Sequence, residues 1–174
     1  KCPRLQKGKA CRMHYHNITK DDMLNGEGLR AVLWVAGCAH HCPGCQNPQT
    51  WDADGGILFD YAARQELYGL LERDYIHGIT YSGGDPLYCA NREEITALAL
   101  EIRARYPGKS QWLYTGYVWE QIKQERIMSV LDVVVDGCYL EAERDTRLHW
   151  RGSKNQRVID VQKSLKKGEI ICRE

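Results

Sequence analysis

Over its central hundred residues the chain switches repeatedly between short apolar runs and helical patterns, and that alternation constrains its fold more than any other feature. Residues 31–35, 78–82, 111–115 and 131–135 read as strands, apolar runs each followed by glycine at Gly37, Gly83-Gly84, Gly116 or Gly137. Residues 60–74, 92–106 and 118–129 carry helical periodicity, and Pro107-Gly108 stops the second of these helices. Such alternation builds βα units on a mainly parallel sheet. A length of 174 residues suits a single domain over the whole chain, and it falls short of the about 250 residues of a complete eight-stranded barrel. Residues 1–28 are polar and without a sustained period, so they read as a loosely structured lead-in. Toward the other end, residues 158–161 and 169–172 are short apolar pieces.

In parallel α/β architectures ligands gather where the strands end. Four segments of chemical interest fall there: a group of cysteines after the first strand, Gly83-Gly84-Asp85, Thr115-Gly116 and Asp136-Gly137. The 24 Lys+Arg against 23 Asp+Glu give a formal charge of +1, which excludes an electrostatic footprint for nucleic acid or an anionic membrane. The chain has no apolar run long enough to span a bilayer, and Lys1-Cys2-Pro3-Arg4 lacks the apolar stretch of a secretory signal. The expectation is a soluble cytoplasmic protein.

Of eight cysteines, three crowd into Cys38-Ala39-His40-His41-Cys42-Pro43-Gly44-Cys45. Crowding without a secretion signal points to metal rather than disulfides. The C-x3-C-x2-C spacing is compatible with three readings. One is a zinc site with His40 or His41 as fourth ligand. A second is a redox loop, which leaves a third cysteine unexplained. The last is a [4Fe–4S] cluster on three thiolates, with one iron open to a substrate or cofactor, because no fourth cysteine stands nearby in sequence. Cys89, Cys138 and Cys172 are scattered and read as small buried hydrophobes. His14, His16, His77 and His149 show no ligand spacing.

At these residues the chain resembles the radical S-adenosylmethionine superfamily. Most of that superfamily has an aromatic residue before the third cysteine, where this chain has Gly44. The wider string Gly37-Cys38-Ala39-His40-His41-Cys42-Pro43-Gly44-Cys45-Gln46-Asn47 is similar to the branch that activates anaerobic ribonucleoside-triphosphate reductases. Asn25-Gly26-Glu27-Gly28, Thr50-Trp51, Ser82-Gly83-Gly84-Asp85-Pro86-Leu87, Tyr114-Thr115-Gly116-Tyr117, Val135-Asp136-Gly137 and the stretch from Arg151 to Arg157 extend the match. It runs from about Met13 to about Leu165, leaving residues 1–12 outside.

That resemblance implies a partial (βα) barrel of roughly five or six mainly parallel strands. It implies a [4Fe–4S] cluster on Cys38, Cys42 and Cys45 and S-adenosyl-L-methionine as cofactor, cleaved by one electron to methionine and a 5′-deoxyadenosyl radical. Gly83, Gly84 and Asp85 correspond to the methionine-binding segment, Gly44 and Gln46 to main-chain contacts with the adenine, and Asp136 to a cofactor or cation contact. No side chain then acts as a catalytic base. The implied substrate is a glycine in the C-terminal loop of the reductase large subunit, and the implied electron source a low-potential donor such as flavodoxin or ferredoxin. Two alternatives stay open: an activase of another glycyl radical enzyme, such as a pyruvate formate-lyase type, and a zinc-stabilised binding module without catalysis. The residues from Arg151 to Gln156 either close the site, meet the partner or form a solvated loop.

Overall fold

A computed structural model describes residues 12–173, so Cys2, Cys11 and all but the last residue of the expected N-terminal extension lie outside the described residues. In chain order the elements are β1 (His14–Asp22), β2 (Arg30–Val35), β3 (Ile57–Leu58), α1 (Tyr61–Leu71), β4 (Gly78–Gly83), α2 (Arg92–Arg105), β5 (Ser110–Tyr114), α3 (Trp119–Ile122), β6 (Val133–Asp136), β7 (Arg157–Asp160) and α4 (Val161–Lys167). They form one open seven-stranded sheet of order β3-β1-β2-β4-β5-β6-β7. Its four central strands β2, β4, β5 and β6 are parallel, and β1, β3 and β7 run antiparallel at the two sides.

The central strands and the helices α1 and α2 stand where the alternation of patterns predicts them. Three expectations are corrected. The sheet has seven strands rather than five or six, and it is mixed. Part of the supposed lead-in is β1, whose register against β2 shifts between Tyr15 and Asn17. That bulge puts the buried residues Tyr15 and Ile18 three apart, so the period of two that announces a strand is broken. The helix expected over 118–129 is a single α turn followed by a 3-10 turn, Arg126–Ser129. Glu125, extended at φ −65° and ψ 138°, breaks the chain between the two turns although Trp119, Ile122 and Ile127 keep helical spacing.

Strand parity divides the sheet into two faces. Ala31, Leu33, Val35, Ile79, Tyr81, Leu113 and Val134 join Leu67, Leu71, Ile95, Leu98 and Ile102 of the helices in the main core. Local signals set the helix ends. Asp60 accepts from Ala63 N at 3.0 Å and starts α1, and Gly168 with φ 75° ends α4. The opposite face carries Trp112, Val133, Val135 and Val158, with Tyr114 and Trp150 against them. Among the described residues no helix packs against this cluster, and a cavity forms there.

Arg30 closes that face at the amino ends of the strands. It is fully buried, and all five N–H groups are taken: Nε by Thr80 Oγ1 at 2.8 Å, the other nitrogens by Glu27 O, Ser110 Oγ, Ile79 O and Ser110 O at 2.7–3.0 Å. Its guanidinium lies 5.3 Å from the centre of the Trp112 ring, and Trp112 meets Trp150 edge-on at 5.0 Å. Burial lowers the Arg30 pKa to about 10, so it stays charged at neutral pH. Arg30→Leu leaves those oxygens without a donor. The expected cost is about 3 kcal/mol of unfolding free energy, measured by urea denaturation.

Candidate cluster and cofactor site

The cysteine loop leaves β2 and folds back over the end of β4. Gly37 N donates to Thr50 O at 2.7 Å and Cys38 N to Trp51 O at 3.1 Å, while Gly84 N and Asp85 N donate to Val35 O and Gly37 O, each at 2.8 Å. The loop and the Gly83-Gly84-Asp85 segment are thus joined through their backbones. At Gly84 a β-carbon would stand 2.9 Å from Thr50 O and closer still to Gly37 O, so only glycine permits the junction. Within the loop, Cys42-Pro43-Gly44-Cys45 is a tight turn closed by Cys45 N to Cys42 O at 3.1 Å. Proline second and glycine third at φ 70° match the demands of a type II turn.

A cavity of about 520 Å³ opens at the carboxyl ends of the central strands, within the range of cofactor sites. Cys38, Cys42 and Cys45 line it, as do Gln46, Gly83, Gly84 and Asp85. Seven of the nine residues expected at the site therefore share one space. Gly44 and Asp136 are not among its lining residues. Gly44 instead backs onto the Glu141 carboxylate, whose carbon stands 2.6 Å from where a β-carbon would be. Asp136 is buried and its oxygens are spent, accepting from Trp119 N at 2.7 Å and from Arg157 Nε and its terminal nitrogen. It latches β6 to β7 and to the start of α3.

The arrangement fits an iron–sulfur cluster better than zinc. Asn47 N donates to Cys45 Sγ at 3.4 Å, the kind of contact that stabilises cluster thiolates. Burial pushes the Cys38 thiol up to about 11 in the metal-free chain, so metal binding must release its proton. His40 is not free for zinc, while His41 is turned onto a neighbouring ring. His40 holds Asp85 Oδ2 at 2.7 Å and Cys138 Sγ at 3.4 Å through its two ring nitrogens, and His41 meets the Trp51 ring edge-on at 4.8 Å. Among the described residues no three His, Cys, Asp or Glu side chains converge on a single ion position, as a mononuclear site requires. The buried Tyr114 hydroxyl, on a residue of the cavity wall, has no hydrogen-bond partner among the described residues; buried polar atoms left so are unusual and suit a bound ligand.

Several residues of the site escape sequence reasoning. Asp85 is a structural centre of the rim, for its buried carboxylate also accepts from Thr115 Oγ1 at 3.0 Å, Gly116 N at 3.1 Å and Leu87 N at 2.8 Å. Trp34 and Tyr114 line the cavity, and strand parity, applied within the apolar runs, was the signal that would have placed them together. The expectation for the scattered cysteines is corrected too: Cys89 and Cys172 are exposed, and Cys138 is half-buried beside His40. The loop from Arg151 to Gln156 closes the cavity. Gln156 Nε2 donates to Gly137 O at 3.0 Å, Asn155 Nδ2 to Cys138 O at 2.8 Å and Arg151 to Gln156 O at 2.6 Å.

Residues 24–159 match the family described as a 4Fe-4S single cluster domain, so the site is that of a protein with one [4Fe–4S] cluster. Among curated relatives, a protein of Enterobacteria phage T4 is 48% identical over 84% of this chain and 93% of its own length. Relatives from Escherichia coli K12 and Haemophilus influenzae are 40% and 38% identical, over 84% and 83% of this chain and 97% and 96% of their own. All three carry the name anaerobic ribonucleoside-triphosphate reductase-activating protein, and the chain belongs to that family. Gly84→Ala is expected to destabilise the fold by about 2 kcal/mol through overpacking and to lower the iron retained after anaerobic reconstitution. Urea unfolding and iron analysis check both.

Proposed function

We propose that the chain is an activase: it holds the [4Fe–4S] cluster on Cys38, Cys42 and Cys45, binds S-adenosylmethionine beside it, and generates a glycyl radical on the large subunit of an anaerobic ribonucleoside-triphosphate reductase. The observation that carries this reading is the shared cavity, where the three thiols face Gly83, Gly84 and Asp85 at the carboxyl ends of the parallel strands. On this reading those strands are the core of a radical S-adenosylmethionine partial barrel. Cys38, Cys42 and Cys45 would hold the cluster, which when bound would supply the one electron needed for reductive cleavage of S-adenosylmethionine to methionine and a 5′-deoxyadenosyl radical, the species that would take the glycine Cα hydrogen.

The chain's own groups bind and orient. The end of β4 offers backbone groups to the methionine ammonium and carboxylate. Asp85 fixes the rim by tying it to the cysteine loop and the end of β5. Gln46, which lines the cavity, is the proposed main-chain contact of the adenine. Trp34, Tyr114 and Trp150 wall the cavity with aromatic surface, which shields a radical from water. A flexible glycine loop needs an open approach, and the uncovered face of an unclosed sheet supplies one. A low-potential flavodoxin or ferredoxin is the proposed donor and the cytoplasm the proposed compartment. No helix among the described residues is long and apolar enough to cross a membrane. The relatives' shared name favours the reductase over a pyruvate formate-lyase type partner.

Anaerobic reconstitution with reductant and S-adenosylmethionine tests the reading. The wild type is expected to release 5′-deoxyadenosine and, with the reductase large subunit, to give a glycyl radical signal in electron paramagnetic resonance. Cys42→Ala is expected to lower both to background. A verified cluster that releases no 5′-deoxyadenosine refutes the proposal.

A further inference from the structure

The turn between the last two cysteines of the pattern is backed by an acid from a distant loop. Gly44 sits third in that turn at φ 70°, and its missing side chain leaves a notch. The Glu141 carboxylate fills it: a β-carbon on Gly44 would stand 2.6 Å from the carboxylate carbon and 2.7 and 2.8 Å from its oxygens. Any residue but glycine would push the acid away. Gly44 therefore serves twice, since the left-handed turn and the notch both require it.

Glu141 is held over the notch by its backbone. It opens the 3-10 turn Glu141–Glu143, and the N–H of Leu140 before it donates to Ser153 Oγ at 3.2 Å. Glu143 O accepts from Lys154 N at 3.0 Å, and Arg144 pairs with Ser153 across the loop. Ser153 is fully buried, and its N–H and that of Gly152 donate to Gln156 Oε1 at 3.2 and 3.0 Å. The polar stretch before β7 thus anchors the turn that carries Glu141. The carboxylate itself is exposed and has no hydrogen bond or ion pair among the described residues, whereas its neighbour Asp145 is paired with Arg147 at 2.9 Å.

An unpaired negative charge consequently lies against a glycine that adjoins Cys45 and stands two residues from Cys42, with consecutive α-carbons about 3.8 Å apart. Those are two of the three cysteines expected to bind iron. We propose that the Glu141 carboxylate lowers the reduction potential of the cluster through its charge, making the reduced cluster a stronger one-electron donor. Reduction adds negative charge, so a nearby anion opposes it, and net charge at the cluster is one of the levers that set such potentials. The inference rests on cluster binding by Cys38, Cys42 and Cys45.

Redox titration of the reconstituted protein, followed by electron paramagnetic resonance, tests it, with iron and sulfide measured on every sample. Glu141→Gln keeps the shape and removes the charge, and Glu141→Asp keeps the charge on a shorter arm. The expected result is a less negative potential for the glutamine variant, favouring the reduced cluster by about fivefold, the effect of a partly screened unit charge. The aspartate variant is expected to stay closer to the wild type. Raising the ionic strength is expected to shrink the difference between wild type and glutamine variant, because salt screens an exposed charge. An unmoved potential in the loaded glutamine variant overturns the inference while leaving the proposed function intact. So does a shift of equal size in both variants or one indifferent to salt, either of which would mark a packing effect, or failure of the glutamine variant to load where the wild type loads. A wild type that takes up no cluster overturns both.

Discussion

Two backbones meet at the carboxyl ends of β2 and β4, and the cavity takes its shape from that contact. The cysteine loop accepts from Asp85 N at Gly37 O and returns through Gly37 N to Thr50 O, with Gly84 packed between Gly37 and Thr50. Parallel pairing in full register from Arg30 with Gly78 to Val35 with Gly83 delivers the two loops at the same height. The three cysteines and the glycine segment, some forty residues apart in sequence, become neighbours because the two strands end level. A register slip of one residue would turn every side chain to the wrong face and separate the loops.

A buried carboxylate then turns the junction into a rigid rim. Asp85 is almost wholly removed from water, and burying a carboxylate is unfavourable unless its oxygens are hydrogen-bonded. Here they are, by a side chain from the cysteine loop, a hydroxyl and an amide from the end of β5, and its own turn at Leu87. The satisfied network leaves little alternative geometry. Asp136 solves the same problem two strands further on with Arg157 and Trp119 N. Similar sequence contexts at two strand ends thus have different outcomes: Asp85 reaches the cavity and Asp136 does not.

That divergence marks where the sequence stops being legible. The four central strands and two long helices follow from periodicity, since buried parallel strands and amphipathic helices leave strong patterns. The bulged β1 leaves none, because a shift of one residue between Tyr15 and Asn17 hides its alternation. The crowding of Cys38, Cys42 and Cys45 is a local signal and was readable. The partners of Asp136 are not, for Arg157 lies 21 residues away and arrives by an antiparallel strand whose pairing is long-range. Cys138 and His40 escape for the same reason, being 98 residues apart.

The two ends of the uncovered face are finished in opposite ways, and this gives the cavity its direction. At the amino ends Arg30 spreads its donors over β4 and β5 under Trp112, and Trp150, just before the Arg151–Gln156 loop, meets that ring edge-on. A cation with every donor used and an aromatic lid above it leave no passage there. At the carboxyl ends the strands stop at glycines, and the cavity there is lined by main chain, thiols and aromatic rings together with polar side chains such as Gln46, Asp85 and Arg151. A ligand of that cavity therefore meets the cysteine loop and the Gly83-Gly84-Asp85 segment together, at the end where the parallel strands stop.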